Sequence, residues 1–211
     1  MLVRICERRS TSSNREATIN GPTTKQPGPG QAQSRYPLSV SRSRQFTNIL
    51  TLRAALNGTV AGAGAVIAAA SDIRIAGESA KIAFLFSRVG LTGADMGAAW
   101  LLPRIVGLAH ASELLLLGDF ITAERAAQIG LYNRVVAGER LMVEATDVAA
   151  RLARGPSVAL GVTKQALNEE AAMDLVSAIE WEAQAQAECM RNPNFREAYE
   201  AFRAKREPRF E

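Results

Sequence analysis

Apolar and polar positions divide this chain into two parts that meet near residue 46. In residues 1–46 the apolar residues follow neither the 3.6-residue period of a helix nor the alternation of a strand. From residue 46 onward, short apolar runs alternate with breaks at Gly, Asn and Asp. These runs predict strands mixed with helices at first and helices alone later. We therefore expect an α/β fold with a helical carboxyl-terminal region.

Individual elements follow from the same pattern. Strands are predicted over residues 54–56, 72–76, 81–86 and 132–136, and helices over 64–70, 96–106, 111–117, 123–129, 141–153, 156–168, 174–190 and 195–205. Gly107, Gly118 and Gly130 each follow a predicted helix, where a glycine commonly ends the helix in a left-handed conformation.

Composition separates the same two parts. Residues 1–46 are rich in Ser, Thr, Arg, Gln, Pro and Gly, which cannot bury enough apolar surface to offset the entropy of ordering. We predict a disordered extension over 1–46, a core over 47–150 and a helical region over 151–211. The extension carries eight Lys/Arg and two Glu, a charge of +6, so the net +4 of the whole chain leaves −2 for the rest. The basic charge therefore lies outside the predicted core, and we expect no nucleic-acid partner.

Other features narrow the class of protein. No uninterrupted apolar run reaches the roughly 18 residues that a membrane-spanning helix requires, so no membrane partner is expected. The two cysteines, Cys6 and Cys189, form neither a disulfide framework nor a CxxC metal motif. We expect a reducing compartment and no metal. A cytoplasmic location is favoured, with a mitochondrial one as the alternative if the Arg- and Ser-rich extension is a transit peptide.

A glycine-rich turn is the main candidate for chemistry. Asn57-Gly-Thr-Val-Ala-Gly-Ala-Gly64 runs from a strand into a helix, and Gly62 and Gly64 allow a sharp turn and close approach of a ligand to the backbone. Free backbone N–H groups at such a turn can stabilise an oxygen that gains negative charge. The alternative is a turn that only packs a helix on a sheet. A dinucleotide-binding site is disfavoured, because Ile67 stands where a Rossmann motif requires its third glycine. A Ser/His hydrolase is also disfavoured, because His110 is the only histidine.

Several ordered motifs give a more specific indication. The glycine-rich turn continues into Ala70-Ser-Asp-Ile-Arg-Ile-Ala76, and Leu102-Pro-Arg-Ile-Val-Gly107, Thr122-Ala-Glu-Arg-Ala-Ala-Gln-Ile-Gly-Leu131 and Phe202-Arg-Ala-Lys-Arg206 follow it. Residues 54–211 thereby resemble the carboxyl-terminal two-thirds of a crotonase-family (enoyl-CoA hydratase/isomerase) protein. The resemblance implies a spiral of ββα units, here truncated, with a carboxyl-terminal helical trimerisation region. It also implies an acyl-CoA ligand and no cofactor other than the coenzyme A of the substrate.

The resemblance also assigns roles at the turn. The backbone N–H of Ala63 is expected to be one oxyanion donor, with Gly62 and Gly64 beside the substrate. The second donor of the family belongs to an amino-terminal stretch that residues 1–53 do not match. The two glutamates of the family's hydratases fall at Val66 and Phe86, which cannot transfer a proton.

One carboxylate remains near these positions. Asp95 resembles the catalytic aspartate of the family's dienoyl-CoA isomerases, although the loop before it is one residue longer. In an apolar pocket its pKa would be raised, which suits proton transfer. The alternative is that Asp95 caps a helix beginning at Met96.

The remaining assignments concern the ligand and the assembly. Phe84 and Phe86 either line an acyl tunnel or pack in the core. Lys205 either contacts a coenzyme A phosphate or is a solvated lysine. Helical spacing of Leu175, Ile179 and Ala183 beside Trp181 predicts helix or trimer packing.

Two functions are consistent with these residues and motifs. The first is an acyl-CoA enzyme with isomerase-type proton transfer, acting as a homotrimer or a dimer of trimers. The second is a truncated, catalytically inactive subunit that assembles and binds coenzyme A. We expect its incomplete spiral to leave apolar faces uncovered.

Overall fold

A computed structural model of the 211-residue chain describes residues 53–211, without the side chain of Arg53. The predicted extension over 1–46 and the first residues of the predicted core lie outside the described residues. The strands are β1 Arg53–Leu56, β2 Val60–Ala61, β3 Ile73–Gly77, β4 Lys81–Ala83, β5 Ile121–Thr122 and β6 Arg134–Val136. The helices are α1 Ala63–Ala69, α2 Ala98–Leu117, α3 Ala123–Gln128, α4 Leu141–Arg154, α5 Ser157–Glu169, α6 Leu175–Arg191 and α7 Pro193–Arg203.

The strands form two three-stranded sheets, and the chain passes from the first sheet to the second twice in the same way. The order β1-β3-β6 is parallel throughout, and in the second sheet β4 pairs parallel to β2 and antiparallel to β5. In each of the first two turns of the chain, one strand joins the first sheet, the next joins the second, and a helix follows. This arrangement is the predicted spiral of ββα units, and the helices α5 to α7 lie in the predicted carboxyl-terminal helical region over 151–211.

The hydrophobic core consists of two clusters on either side of the first sheet. The larger cluster joins the inner faces of α1, α2 and α3 to both sheets, with Phe84, Leu102 and Leu131 fully buried. The smaller cluster packs Ala55 and Ile75 against α4. Alternation along β1 and β3 places successive side chains on opposite faces, which is why one sheet contributes to both clusters.

Helices α1, α4 and α5 each begin and end within one residue of the predicted bounds. Gly118 and Gly130 have positive φ and follow α2 and α3, as predicted, whereas Gly107 lies inside α2 and does not end a helix. The predicted helices over 96–106 and 111–117 instead form one element, α2, which bends at Gly107 (φ 77°, ψ 161°). The strand over 81–86 stops at Ala83, and β2 and β5 were not predicted because two residues carry no period.

Helix α2 also bears on the expectation about membranes. By length and composition alone it is apolar enough to cross a bilayer. It contains Pro103, and the non-helical backbone of Gly107 divides it into two shorter helices. Its buried positions, among them Ala98, Leu102 and Leu114, pack in the larger core cluster.

A buried arginine on β3 connects three parts of the fold. Arg74 is 8% exposed, and its Nε donates to the carbonyl of Leu131 at 2.6 Å. One terminal nitrogen donates to the carbonyls of Ser71 and of Ala69, the latter at 3.2 Å. The backbone N–H of Arg74 donates to the Oδ1 of Asn133 at 2.7 Å. Arg74 thus links the end of α1, strand β3 and the loop between α3 and β6.

Gly118, at the end of α2, has a left-handed backbone and close neighbours. A Cβ added to Gly118 (φ 64°) would lie 3.0 Å from the Oγ of Ser87 and 3.2 Å from the carbonyl oxygen of Phe84. We expect Gly118→Ala to lower the free energy of unfolding by about 1–3 kcal/mol, through backbone strain and this close contact. Urea denaturation measures the change. Gly138→Ala is the matched control, because no atom lies within 4 Å of its added Cβ; an equal loss in both variants would contradict the prediction.

Glu197 of α7 holds part of the carboxyl-terminal tail, in addition to the bonds between Asn194 and Glu211. Glu197 accepts hydrogen bonds from Arg206 at 2.6 and 3.0 Å and from the backbone N–H of Arg209 at 2.7 Å. The side-chain bonds from Arg206, followed by the bond from Arg209, lower the pKa of Glu197 from 4.5 to about 2. Because the charged form is favoured in the folded state, its contribution to stability is present above pH 4.5 and disappears as the pH falls towards 2.

Replacing this carboxylate gives a test in that pH window. We expect Glu197→Gln to show a smaller drop in the urea midpoint than the wild type when the pH is lowered from 4.5 to 2. Glu200→Gln is the control, since this carboxylate of the same helix accepts a single side-chain bond, from Arg196 at 2.8 Å. Identical pH profiles for the wild type and Glu197→Gln would rule out the proposed anchor.

Candidate functional site

The turn between β2 and α1 has a backbone conformation that favours glycine. Gly62 has φ 55° and ψ −127°, a combination disfavoured for residues with a Cβ. Its N–H donates to the carbonyl of Ala83 on β4 at 3.1 Å. Its carbonyl accepts the N–H groups of Ala65 and Val66 at 3.0 and 3.2 Å. Gly62 therefore both begins α1 and fixes the turn to the second sheet.

Two backbone donors remain available at this turn. Within residues 53–211, no hydrogen-bond acceptor pairs with the N–H of Ala63 or of Gly64. Ala63 is exposed, whereas Gly64 is buried, and no atom of the described residues lies within 4 Å of the position that a Cβ on Gly62 would occupy. A backbone N–H group beside open space, such as that of Ala63, can bind a carbonyl oxygen and stabilise the negative charge that it gains during a reaction.

The side chains around this turn are apolar. Val66 is 1% exposed and Phe86 is 8% exposed, and both belong to the larger core cluster. Phe84 is fully buried in the same cluster. The positions that the resemblance assigns to the hydratase glutamates are therefore occupied by buried hydrocarbon.

Asp95 lies in the exposed loop before α2. The expectation that it caps a helix beginning at Met96 is wrong: α2 begins at Ala98, its N-cap is Gly97, and no side chain caps it. Asp95 is exposed among the described residues. Its carbonyl oxygen accepts the N–H of Ala98 at 2.9 Å.

Lys205 follows α7 at a position that usually holds glycine. It has φ 52°, and its N–H donates to the carbonyl of Phe202 at 3.2 Å. The N–H of Arg206 donates to the carbonyl of Ala201 at 3.0 Å, which completes a Schellman motif with Lys205 at its left-handed position. The exposed side chain is presented to solvent at the end of α7, on a different element from the glycine-rich turn.

The structure thus brings together some predicted residues and separates others. Gly62, Ala63, Gly64 and Val66 form one turn, and the bond to Ala83 joins it to the strand that leads to Phe86. Sequence reasoning missed Arg74. An arginine in an otherwise apolar strand is a signal in the sequence. If the strand is buried, the arginine is buried with it and requires several hydrogen-bond acceptors.

A family model described as "Enoyl-CoA hydratase/isomerase" matches residues 30–211. The matched range begins inside the segment that we predicted to be an extension outside the family. It covers every described strand and helix, including the turn at residues 62–64 and the loop that carries Asp95.

Individual relatives agree with this match. The chain is 42% identical over 156 residues to 1,2-epoxyphenylacetyl-CoA isomerase of Escherichia coli, covering 74% of this chain and 59% of the relative. It is 35% identical over 153 residues to short-chain-enoyl-CoA hydratase of Clostridium acetobutylicum, covering 72% and 58%. The chain therefore spans about three fifths of the length of these relatives.

Solved structures give the same result for the fold. An enoyl-CoA hydratase from Polaromonas sp. JS666 superposes with a TM-score of 0.74 at 32% identity, covering 79% of this chain and 65% of that one. An enoyl-CoA hydratase from Bacillus anthracis gives a TM-score of 0.72 at 30% identity, covering 75% and 61%. Sequence motifs, fold and family model agree, and the chain belongs to the enoyl-CoA hydratase/isomerase (crotonase) family.

Proposed function

We propose that this protein binds an acyl-CoA thioester and moves a proton between carbon atoms of its acyl group, rather than adding water to it. The observation that carries the proposal is the turn at residues 62–64. It offers two backbone N–H groups without acceptors among the described residues, and the buried side chains next to it are apolar.

The backbone donors account for activation of the thioester. When a proton leaves the carbon next to the thioester, the electron pair moves onto the carbonyl oxygen. In this proposal the N–H of Ala63 stabilises that oxygen, and the open space beside Gly62 supports its approach. The donors belong to the backbone, so the small side chain of Ala63 does not weaken them.

The apolar neighbours argue against water addition. Hydration requires one group that removes a proton from water and one that donates a proton to carbon. Val66 and Phe86 can do neither, and their burial leaves no room for a polar group at those positions. Proton transfer within the substrate needs one carboxylate, which takes the proton from one carbon and returns it to another.

Asp95 is our candidate for that carboxylate. Its base form takes a proton α or γ to the thioester, the enolate forms at the backbone donors, and the resulting acid returns the proton at the other carbon. The net result is a shifted double bond with no atom gained or lost. Of the two relatives described above, one is named 1,2-epoxyphenylacetyl-CoA isomerase and the other short-chain-enoyl-CoA hydratase.

The ligand and assembly complete the proposal. The Lys205 side chain, exposed at the end of α7, is suited to contact a phosphate of coenzyme A. On α6, Leu175 is 75% exposed and Ile179 is 54% exposed, although both are apolar. The exposure of these apolar residues supports assembly as a trimer or a dimer of trimers, in which other copies would cover them.

A second candidate function is a subunit that binds coenzyme A without turnover. The exposure of Asp95 favours it, because the described residues do not enclose this carboxylate in an apolar site where it could act on a substrate. Turnover assays separate the two functions.

Replacing Asp95 tests the proposed proton transfer. We expect Asp95→Asn to lower turnover by roughly 10²–10⁴-fold, because the amide cannot accept the proton. The measurement is ultraviolet absorbance of enoyl- and dienoyl-CoA substrates incubated with purified protein. Glu113→Gln, an exposed carboxylate of α2, is the matched control and keeps wild-type turnover.

The outcomes separate the hypotheses. Unchanged turnover in Asp95→Asn would remove this residue from the mechanism. An inactive wild type that binds coenzyme A in calorimetry would favour the second function.

Replacing Ala63 tests whether its backbone N–H acts on the substrate. Proline is favoured at the first position of a helix, so Ala63→Pro deletes the N–H and leaves the rest of α1 in place. We expect kcat to fall by roughly 10²–10³-fold, the effect of losing one oxyanion donor. Ala63→Ser keeps the N–H and serves as the control, and circular dichroism verifies that both variants fold. Equal rates for the two variants would show that this N–H does not act on the substrate.

A further inference from the structure

The chain between Asp95 and α2 forms one tight turn. The carbonyl oxygen of Asp95 accepts the N–H of Ala98 at 2.9 Å. The two central residues both have positive φ, 49° at Met96 and 89° (ψ 7°) at Gly97. A four-residue turn with this hydrogen bond and positive φ at both centres is a type I′ turn, in which Asp95 is the first residue.

Methionine is an unfavourable residue for its position in this turn. Type I′ turns favour Asn, Asp or Gly at the first centre, because other residues bring the Cβ close to the backbone carbonyl. Among residues 53–211, Met96 and Lys205 are the two non-glycine residues with positive φ. The Met96 side chain is 55% exposed, so burial in the core does not compensate for its backbone conformation.

Both ends of the turn are fixed to the core, which explains why the strained conformation persists. A Cβ added to Gly93 would lie 3.0 Å from the carbonyl oxygen of Leu115, so the chain before Asp95 lies against α2. After the turn, Ala98 is fully buried. The Gly97 carbonyl accepts the N–H groups of Trp100 and Leu101 at 3.0 and 2.9 Å.

Asp95 therefore stands between two anchored points, and the positive φ of Met96 and Gly97 fixes the turn that Asp95 begins. In the part of the chain that the structure describes, no hydrogen bond from another side chain orients that carboxylate. We propose that Met96 is a positioning residue whose left-handed backbone aims Asp95 at the substrate. This inference rests on the proposed function, in which Asp95 transfers the proton.

Two substitutions at Met96 separate backbone geometry from the side chain. Met96→Asn removes the thioether but favours the same left-handed conformation. Met96→Pro fixes φ near −65°, which the turn excludes, and it breaks no hydrogen bond among the described residues. It also restricts Asp95, the residue before the proline.

The expected results differ for kcat and KM. We expect Met96→Asn to keep kcat within about twofold of wild type and to raise the thermal midpoint, since the turn is retained without strain. We expect Met96→Pro to lower kcat roughly a hundredfold with little change in KM, because a misdirected catalytic group affects the reaction more than binding. Circular dichroism verifies folding, and Met96→Val, also disfavoured at positive φ, replaces the proline variant if that one does not fold.

Three other outcomes would contradict the positioning role, the proposed mechanism or both. If Met96→Pro and Met96→Val turn over like wild type while Asp95→Asn is inactive, the positioning role is wrong and the proposed function stands. If Met96→Asn loses as much activity as Met96→Pro, the side chain matters and not the turn, which also overturns the inference. If Asp95→Asn is fully active, the proposed mechanism fails and the positioning role fails with it.

Discussion

The buried guanidinium of Arg74 is the interaction on which the rest of the described fold depends. Removing a charge from water is costly unless each donor finds an acceptor, and burial accordingly lowers the pKa of this arginine, although Asp72 opposes the shift. Its partners are carbonyls at the end of α1 and in the loop after α3. Since Arg74 lies on β3, the middle strand of the first sheet, these bonds fix α1 and that loop relative to both neighbouring strands. Loss of any of these acceptors would leave a buried donor unpaired.

The glycine-rich turn is positioned from its other side by the second sheet. The bond from Gly62 to Ala83 ties the beginning of α1 to β4, while Arg74 holds its end to β3. Helix α1 is therefore anchored to one sheet at each end. The free N–H groups of Ala63 and Gly64 lie between these anchors, on a backbone that has little freedom to move away from a ligand.

Backbone strain in the described residues lies at the candidate functional positions. Met96 adjoins Asp95, and Lys205 is the candidate phosphate contact, yet both adopt a conformation that glycine or asparagine would adopt more easily. A folding sequence usually satisfies local preference, packing and turn chemistry together, and departures from that agreement are concentrated at sites of function. Neither residue is buried, so packing does not explain the choice of side chain.

The amino-acid sequence by itself determined the features that depend on a few neighbouring residues. The glycines at 107, 118 and 130 end or break helices because only local backbone sterics are involved, and the absence of carboxylates at Val66 and Phe86 follows from residue identity alone. Only the tertiary structure decided the two-residue strands β2 and β5, the end of β4 at Ala83 and the exposure of Asp95. Those features depend on hydrogen bonds and packing between residues that are far apart in the chain, and such contacts leave no periodic signal in the sequence.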